Sequence, residues 1–533
     1  ANESTIVSMS MIPSLFRWAV ILTHVSDFVI LGDLPVHCLR HQIVGDWVFH
    51  IGPSSPERSS CGHSRPDVDY LEPGEDRMPP GRRSILHLTL SNPDRVIASP
   101  ESVSKGTWTM VYDEGFETRI EGRVFFAFSN FDISLDAEGR KHNVSRCDKT
   151  MLGWYTTTDQ TEFGCFYGRK VTATASFEEV QVQKFSLTYD EPLGEDYHSA
   201  VVARLNNRPG TTWKATVYPR FIGKTLRELN RMSGLRRKSI PEDTPPAYLT
   251  RIERLRKRRR DRAALHRTSF LDLELLTAEH SLPESIDWRN VSGENYIEPV
   301  INQGPCGSCY AIATMRMLSA RHKIKTRNLT AIPWSISFPL YCGEYNQGCD
   351  GGYAFLMSKW SSDVGLLPDT CAGYTPENGK CEITCDPSTM PKYRASNYHY
   401  IGGYYGGTSA AQIMKELVED GPLVVSLRPA SDLMYYRSGL YKSKLQKDYY
   451  HLPEWERVDH AVLLVGYGVD DGEKYWLVQN SWSVDWGEDG YFRIARGIDD
   501  SGVESIAVAA DVVQDMRPHD MFRSFTRATE EAA

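Results

Sequence analysis

The placement of the cysteines constrains this chain more than any other feature. There are eleven. Cys38, Cys61, Cys147 and Cys165 form one group, and Cys306, Cys309, Cys342, Cys349, Cys371, Cys381 and Cys385 form a second. None falls between residues 173 and 281. An odd count leaves one thiol over if the others pair, and a leftover thiol in a disulfide-bearing chain is either accidental or reactive. At 533 residues the chain exceeds one compact core and implies two or three domains. The net charge of −9 gives no reason to expect nucleic acid as a partner.

Residues Leu15–Leu31 form an apolar run with Arg17 near its start, and Gly32 follows. Residues 1–32 are read as a secretory signal peptide. Asp27 divides the run into stretches too short to cross a bilayer, so stable membrane insertion is not expected. Asn-x-Ser/Thr sequons at Asn143, Asn290 and Asn328 fit a secretory route.

The next region, 33–172, reads as all-β. Ser84–Ser91 (SILHLTLS) and Val124–Phe131 (VFFAFSNF) are β-branched and aromatic, with Gly, Pro, Asn and Asp between such runs. Residues 173–281 form a separate stretch with a cationic segment, Arg251–Arg262. That segment reads either as a solvated helix face or as a protease-accessible linker in a removable propeptide. Polarity shifts at Leu282-Pro283, which opens a further domain over 282–515, and 516–533 read as a polar tail.

The strongest local signal is Gln303-Gly304-Pro305-Cys306-Gly307-Ser308-Cys309-Tyr310, followed by a helical run over Ala311–Arg321. Cys309 is thus expected at a helix N-terminus, where unsatisfied N–H groups favour thiolate over thiol. A thiolate attacks carbonyl carbon, and an acid must then protonate the leaving amine. His460 opens an apolar run that reads as a buried strand, and Asn480, in Asn480-Ser481-Trp482, can orient its imidazole. Trp482 and Trp486 can keep water from that bond. The Gln303 side-chain amide and the Cys309 backbone N–H can form an oxyanion hole. Read as a metal site, Cys306-x-x-Cys309 lacks the second ligand pair that zinc needs. Read as a redox pair, it lacks a thioredoxin-like setting. No metal is expected.

Cys-Gly-Ser-Cys-Tyr with His and Asn far downstream resembles the papain family of cysteine peptidases. His460 and Asn480 follow Cys309 by 151 and 171 residues, which implies an insertion before His460. This resemblance covers about 282–515. It implies an α+β fold: a two-lobed peptidase domain with a helical left lobe and a β-barrel-like right lobe. Within the family the chain resembles cathepsin C, the dipeptidyl peptidase I branch, over about 33–515. Ile43–Phe49, Met151–Trp154, Ser285–Val291, Tyr310, Tyr398–Gly403 and Glu504–Ala510 carry that likeness.

The branch resemblance implies that 33–172 is an exclusion domain, an all-β barrel that blocks the groove beyond the second substrate pocket. The expected activity is then a cysteine-type dipeptidyl aminopeptidase acting on peptides and proteins with a free N-terminus. Asp33, five residues before Cys38, matches the position whose carboxylate binds the substrate amine. Gly351 and Gly352 match the groove backbone that hydrogen-bonds substrate. The implied disulfides are Cys38–Cys147, Cys61–Cys165, Cys306–Cys349, Cys342–Cys381 and Cys371–Cys385, which leaves Cys309. The branch also binds chloride at positions matching Tyr353, Phe355 and Tyr400, but it has a tyrosine where this chain has Phe355, so one hydroxyl is missing. A second departure is Ser483, where Asn-Ser-Trp is usually followed by Gly, and a third is the expanded basic segment. Maturation by an activating protease would remove 173–281 and cut near Lys447-Asp448, giving a heavy chain (282–447) and a light chain (448–515). A homotetramer in a lysosome-like acidic compartment, or a secreted one, is the implied setting. The alternatives are a papain-like endopeptidase whose N-terminal barrel is removed, and an inactive scaffold. The complete set of Gln303, Cys309, His460 and Asn480 argues against the scaffold.

Overall fold

The computed structural model describes residues 36–63, 75–99, 104–135, 141–171, 177–180, 191–225, 228, 229, 232, 282–429, 432–443 and 460–517. Asp33, the apolar run at 15–31, the cationic segment 251–262 and the expected cut near Lys447-Asp448 lie outside them.

In the N-terminal region the strands are β1 (Gly45–Ile51), β2 (Ser84–Ser91), β3 (Arg95–Ser99), β4 (Lys105–Val111), β5 (Gly115–Ile120), β6 (Arg123–Leu135), β7 (Lys141–Thr150), β8 (Gly153–Thr157) and β9 (Phe163–Lys170). Eight of them run antiparallel in the order β1-β2-β3-β4-β5-β6-β8-β9, and β9 returns to β1 with Trp47 opposite Lys170 and Ile51 opposite Phe166. The sheet therefore closes on itself as a barrel and leaves no free edge in the ring. The period-2 pattern dictates its interior: in β1, Trp47, Phe49 and Ile51 are buried while Asp46 is exposed. Phe49 meets Phe116, Phe125 and Phe166 inside, with ring centroids 6.4, 5.4 and 4.8 Å away. Outside the ring, β7 pairs with β6 and with β10 (Phe177–Val180), so this sheet runs on past residue 172.

A second sheet holds β11 (Trp213–Ala215), β12 (Ile286–Asp287), β13 (Tyr393–Tyr400), β14 (Leu423–Leu427), β15 (Tyr436–Tyr441), β16 (His460–Asp470), β17 (Glu473–Gln479), β18 (Tyr491–Ala495) and β19 (Ile506–Gln514). Its order is β11-β15-β18-β17-β16-β14-β19-β13, with β12 on β16. Every residue of β14 is buried, as is β16 from His460 to Gly468. This is why the run after His460 reads as continuous apolar sequence rather than as an alternation. The helix Cys309–Thr326 packs beside this sheet, and most of its side chains are buried, so its apolar residues are not confined to one stripe. The helix Ala354–Asp363, buried throughout, packs against the Cys309 helix and β13. Sheet and helices together form the two-lobed α+β peptidase fold.

The cysteine-free stretch is ordered where it is described. Its helix Glu195–Asn206 leads to β11, which extends the peptidase sheet by pairing Trp213 with Gly439. The Tyr218 hydroxyl donates to the Tyr436 carbonyl at 2.6 Å and accepts from the Gly487 N–H at 2.8 Å.

Candidate active site

Cys309 is the first residue of its helix and is buried, with Ser308 at the N-cap. The N–H groups of Cys309 and Tyr310, at the positive end of the helix dipole, are directed at its thiol. The Ala461 N–H, from the start of β16, points at Sγ from 3.5 Å. The structure pairs Cys38–Cys147, Cys61–Cys165, Cys306–Cys349, Cys342–Cys381 and Cys371–Cys385, and Cys309 is in none of these disulfides. No cluster of metal-ligating side chains occurs among the described residues.

His460 sits at the first position of β16, opposite Leu427 of β14. Its Nε2 lies 2.8 Å from Asn480 Oδ1. The same oxygen accepts the Ser481 backbone N–H at 2.8 Å. An N–H can only donate, so that atom of Asn480 is the oxygen, and the His460 proton resides on Nε2. Nδ1 is left as the basic nitrogen, and it has no hydrogen-bond partner among the described residues. Trp482 stacks on the imidazole with centroids 4.9 Å apart, and Trp486 meets Trp482 edge-on at 5.1 Å. The Trp482 Nε1–H donates to the Met232 carbonyl at 3.1 Å, so the cysteine-free stretch reaches this aromatic shield. Burial pushes the Cys309 thiol up to about 11 and the His460 imidazole down to about 4. Each direction expresses the cost of one isolated charge in a dry site.

Gln303 is fully buried. Its Nε2 donates to the Cys306 carbonyl at 2.9 Å, and its Oε1 accepts from Ser481 Oγ at 2.5 Å. A carbonyl can only accept, so the amide orientation is fixed, and the second Nε2–H remains for another acceptor. Ser481 thus touches both Gln303 and Asn480, a linking role that sequence reasoning did not assign.

Gly351 has φ +132°, a conformation that L side chains rarely adopt. A Cβ on Gly352 would lie 2.4 Å from Asn346 Oδ1. The Gly351-Gly352 backbone therefore stays bare. Asn346 Oδ1 accepts the Tyr353 N–H at 2.7 Å. Phe355 lies flat on Tyr400, with centroids 4.5 Å apart and planes at 8°. Ser483 holds φ +76°, the left-handed region in which glycine is unstrained.

The barrel meets the peptidase domain beside this loop. The Tyr112 ring stacks on Tyr353 at 3.7 Å, and its hydroxyl lies 3.4 Å from Ser426 Oγ. Ser426 is the β14 partner of Ala461, next to His460. The Tyr353 hydroxyl donates to Glu114 at 2.9 Å, and the Tyr398 hydroxyl donates to Glu117 at 2.8 Å. Lys359, buried, lies 3.9 Å from Glu117 and 3.1 Å from Asp363. Tyr112, Glu114 and Asn346 were not among the sequence-derived candidates. No local pattern marks them, since their partners come from folding the chain back on itself.

The comparisons agree with this geometry. Residues 282–511 match the papain family cysteine protease model and residues 33–170 the cathepsin C exclusion domain model. The chain is 32% identical to a cathepsin C of Schistosoma mansoni over 90% of this chain and 96% of that protein. It is also 32% identical to a cathepsin B-like protein, CP2, of Giardia intestinalis, over 56% of this chain and 88% of that one. Among solved structures, digestive procathepsin L 3 of Tenebrio molitor larval midgut matches at 22% identity and a TM-score of 0.43, over 59% of this chain and 89% of that one. The chain belongs to the papain family of cysteine peptidases, in the branch that carries a cathepsin C exclusion domain. It is a cysteine peptidase, and its substrates are peptides.

Proposed function

We propose that this peptidase is a dipeptidyl aminopeptidase that removes dipeptides from free N-termini. One observation carries the reading: Tyr112 of the barrel stacks on Tyr353, beside Gly351-Gly352, and its hydroxyl lies against Ser426, next to the His460 strand. On this reading the barrel, seated against both the Gly351-Gly352 loop and the His460 strand's neighbour, leaves no path for a longer substrate. A carboxylate at the closed end, assigned to Asp33, would then reward an ammonium that stops there.

The chemistry follows from the groups in place. Proton transfer from Cys309 to His460 Nδ1 replaces two neutral buried groups by a thiolate and an imidazolium, and each charge relieves the desolvation of the other. A Cys–His pair of this type can hold the thiol pKa at roughly 3–4, far from the value of either group charged alone. The thiolate attacks the scissile carbonyl carbon, and its electron pair forms the C–S bond. The carbonyl oxygen takes the negative charge and accepts from the Cys309 N–H and the second Gln303 Nε2–H. Each such donor is worth about 10²–10³ in turnover. As the C–N bond breaks, His460 gives its proton to the leaving amine. Water then attacks the thioester while His460 takes its proton, and the dipeptide leaves as Cys309 is restored. Asn480 holds the tautomer that makes Nδ1 the working nitrogen.

The same reading covers maturation. The stretch that pairs β11 with β15 and reaches Trp482 through Met232 is the segment to be removed by an activating protease. Its release exposes the shield over His460. Five disulfides suit an oxidising secretory route, lysosome-like or extracellular. No helix of the described residues is long and apolar enough to cross a membrane. Assembly as a homotetramer is part of this proposal.

The deciding experiment compares one fluorogenic dipeptide substrate with its N-acetylated form. Wild type is expected to prefer the free amine by at least about 100-fold, and Asp33→Ala to lose most of that preference while melting near wild type. Equal rates on both substrates by wild type would refute the aminopeptidase assignment.

A further inference from the structure

The positions matching the halide ligands of the cathepsin C branch do not fit an anion here. The backbone N–H of Tyr353 already donates to Asn346 Oδ1 at 2.7 Å. That acceptor is held in place: Asn346 is buried, and its side chain packs where a Cβ on Gly352 would stand. Phe355 has no hydroxyl, and its ring covers the face of Tyr400 at 4.5 Å. Among the side chains at the three positions only the Tyr400 hydroxyl, which is buried and has no partner among the described residues, is left as a donor, beside the backbone N–H of Phe355 in the first turn of its helix. Two neutral donors do not repay the desolvation of a buried anion, which needs pairing and several donors. The surroundings add to the penalty. The Tyr353 hydroxyl is engaged by the Glu114 carboxylate, while Glu117, behind Tyr398, is already paired with Arg119 and faces Lys359.

We infer that Asn346 supplies within the chain the acceptor that a bound halide would otherwise provide, so the wall beside the second substrate pocket is assembled without chloride. This rests on the dipeptidyl reading above and concerns the regulation of that same site. The Gly351-Gly352-Tyr353 backbone is set by a covalently tethered amide oxygen. Its geometry, and with it turnover, is indifferent to halide concentration.

The test titrates the mature enzyme with sodium chloride against sodium gluconate at constant ionic strength. Two readouts are followed: kcat/KM on a free-amine dipeptide substrate, and saturable chloride NMR line broadening that bromide displaces. The expected result is a change in kcat/KM of less than about twofold and no saturable broadening. Saturable activation of about tenfold or more, or displaceable broadening, would overturn the inference. A lack of free-amine turnover at every halide level would instead sink the dipeptidyl reading, while the NMR arm still decides halide binding. Asn346→Ala frees the Tyr353 N–H, and the paired change Phe355→Tyr adds a hydroxyl. This double variant is expected to lose activity in gluconate and to recover part of it with chloride or bromide. A variant that melts near wild type yet shows neither loss nor halide response would show that Asn346 is not the acceptor that matters. If it fails to fold, the wild-type titration still decides.

Discussion

The two ends of one groove are built in opposite ways. At the reactive end, Cys309, Gln303 and the first helical turn lie within a few residues of one another, and His460 and Asn480 sit on adjoining strand ends. At the closed end, Tyr112 and Glu114 reach Tyr353 across about 240 residues of chain. The first arrangement fixes what reaction occurs. On the proposed dipeptidyl reading, the second fixes where along a substrate it occurs. Because the two share few side chains, either can be damaged while the other stands.

The largest effect belongs to the reactive end. Cys309→Ala is expected to lower kcat/KM on the order of 10⁴-fold or more and to abolish labelling by thiol-directed peptide electrophiles, with the melting temperature little changed. Activity above background would mean the nucleophile lies elsewhere. At the closed end, Tyr112→Ala removes the ring between Tyr353 and Ser426. Dipeptide release should fall about tenfold, and cleavage of an N-acetylated internal peptide should rise, read by mass spectrometry of the products. A tenfold loss with no gain of internal cleavage would mean that Tyr112 only supports packing.

Two smaller effects lie away from both ends. Asp500 accepts from the Ser443 N–H at 2.9 Å, and burial, with Asp432 and Asp499 nearby, pushes its carboxyl up to about 7 from an ordinary 3.8. The folded state holds that proton more tightly than the unfolded state does. The stability it confers is complete below pH 3.8 and is lost as pH rises through about 7. Between pH 4 and pH 7, wild type should therefore lose about 1–3 kcal/mol relative to Asp500→Asn in denaturant melts. A constant difference across that range would contradict the assignment. Ser483 holds a left-handed backbone that glycine adopts without strain. Ser483→Gly should stabilise by about 0.5–1 kcal/mol, less what the more flexible unfolded chain returns. A destabilised variant would mean that the contact of Ser483 Oγ with Asp485 at 3.4 Å outweighs the strain.

The same contrast explains what the sequence allowed. The helix behind Cys309 was legible because its residues favour helix, and β16 because it carries an unbroken apolar run from Ala461 to Val465. The barrel was legible as β structure from runs such as SILHLTLS, though its closure by β9 onto β1 has no local mark. The tautomer of His460 needed the Ser481 N–H, which is visible only once the chain turns. The cysteine-free stretch reads as polar and removable, yet its β10 pairs with the barrel and its β11 with the peptidase sheet. Its strands are four and three residues long, too short for a periodic signal. Phe355 was visible as a missing hydroxyl. That Asn346 takes up the neighbouring N–H depends on a loop turning seven residues back on itself.

The central claim is that the barrel turns a cutting site into a counting site. The most direct measurement is a time course of the mature enzyme on an unblocked ten-residue peptide, with every product weighed. The account predicts successive loss of dipeptides from the N-terminus and no internal fragment. Internal fragments at early times, with the barrel still bound, would contradict it.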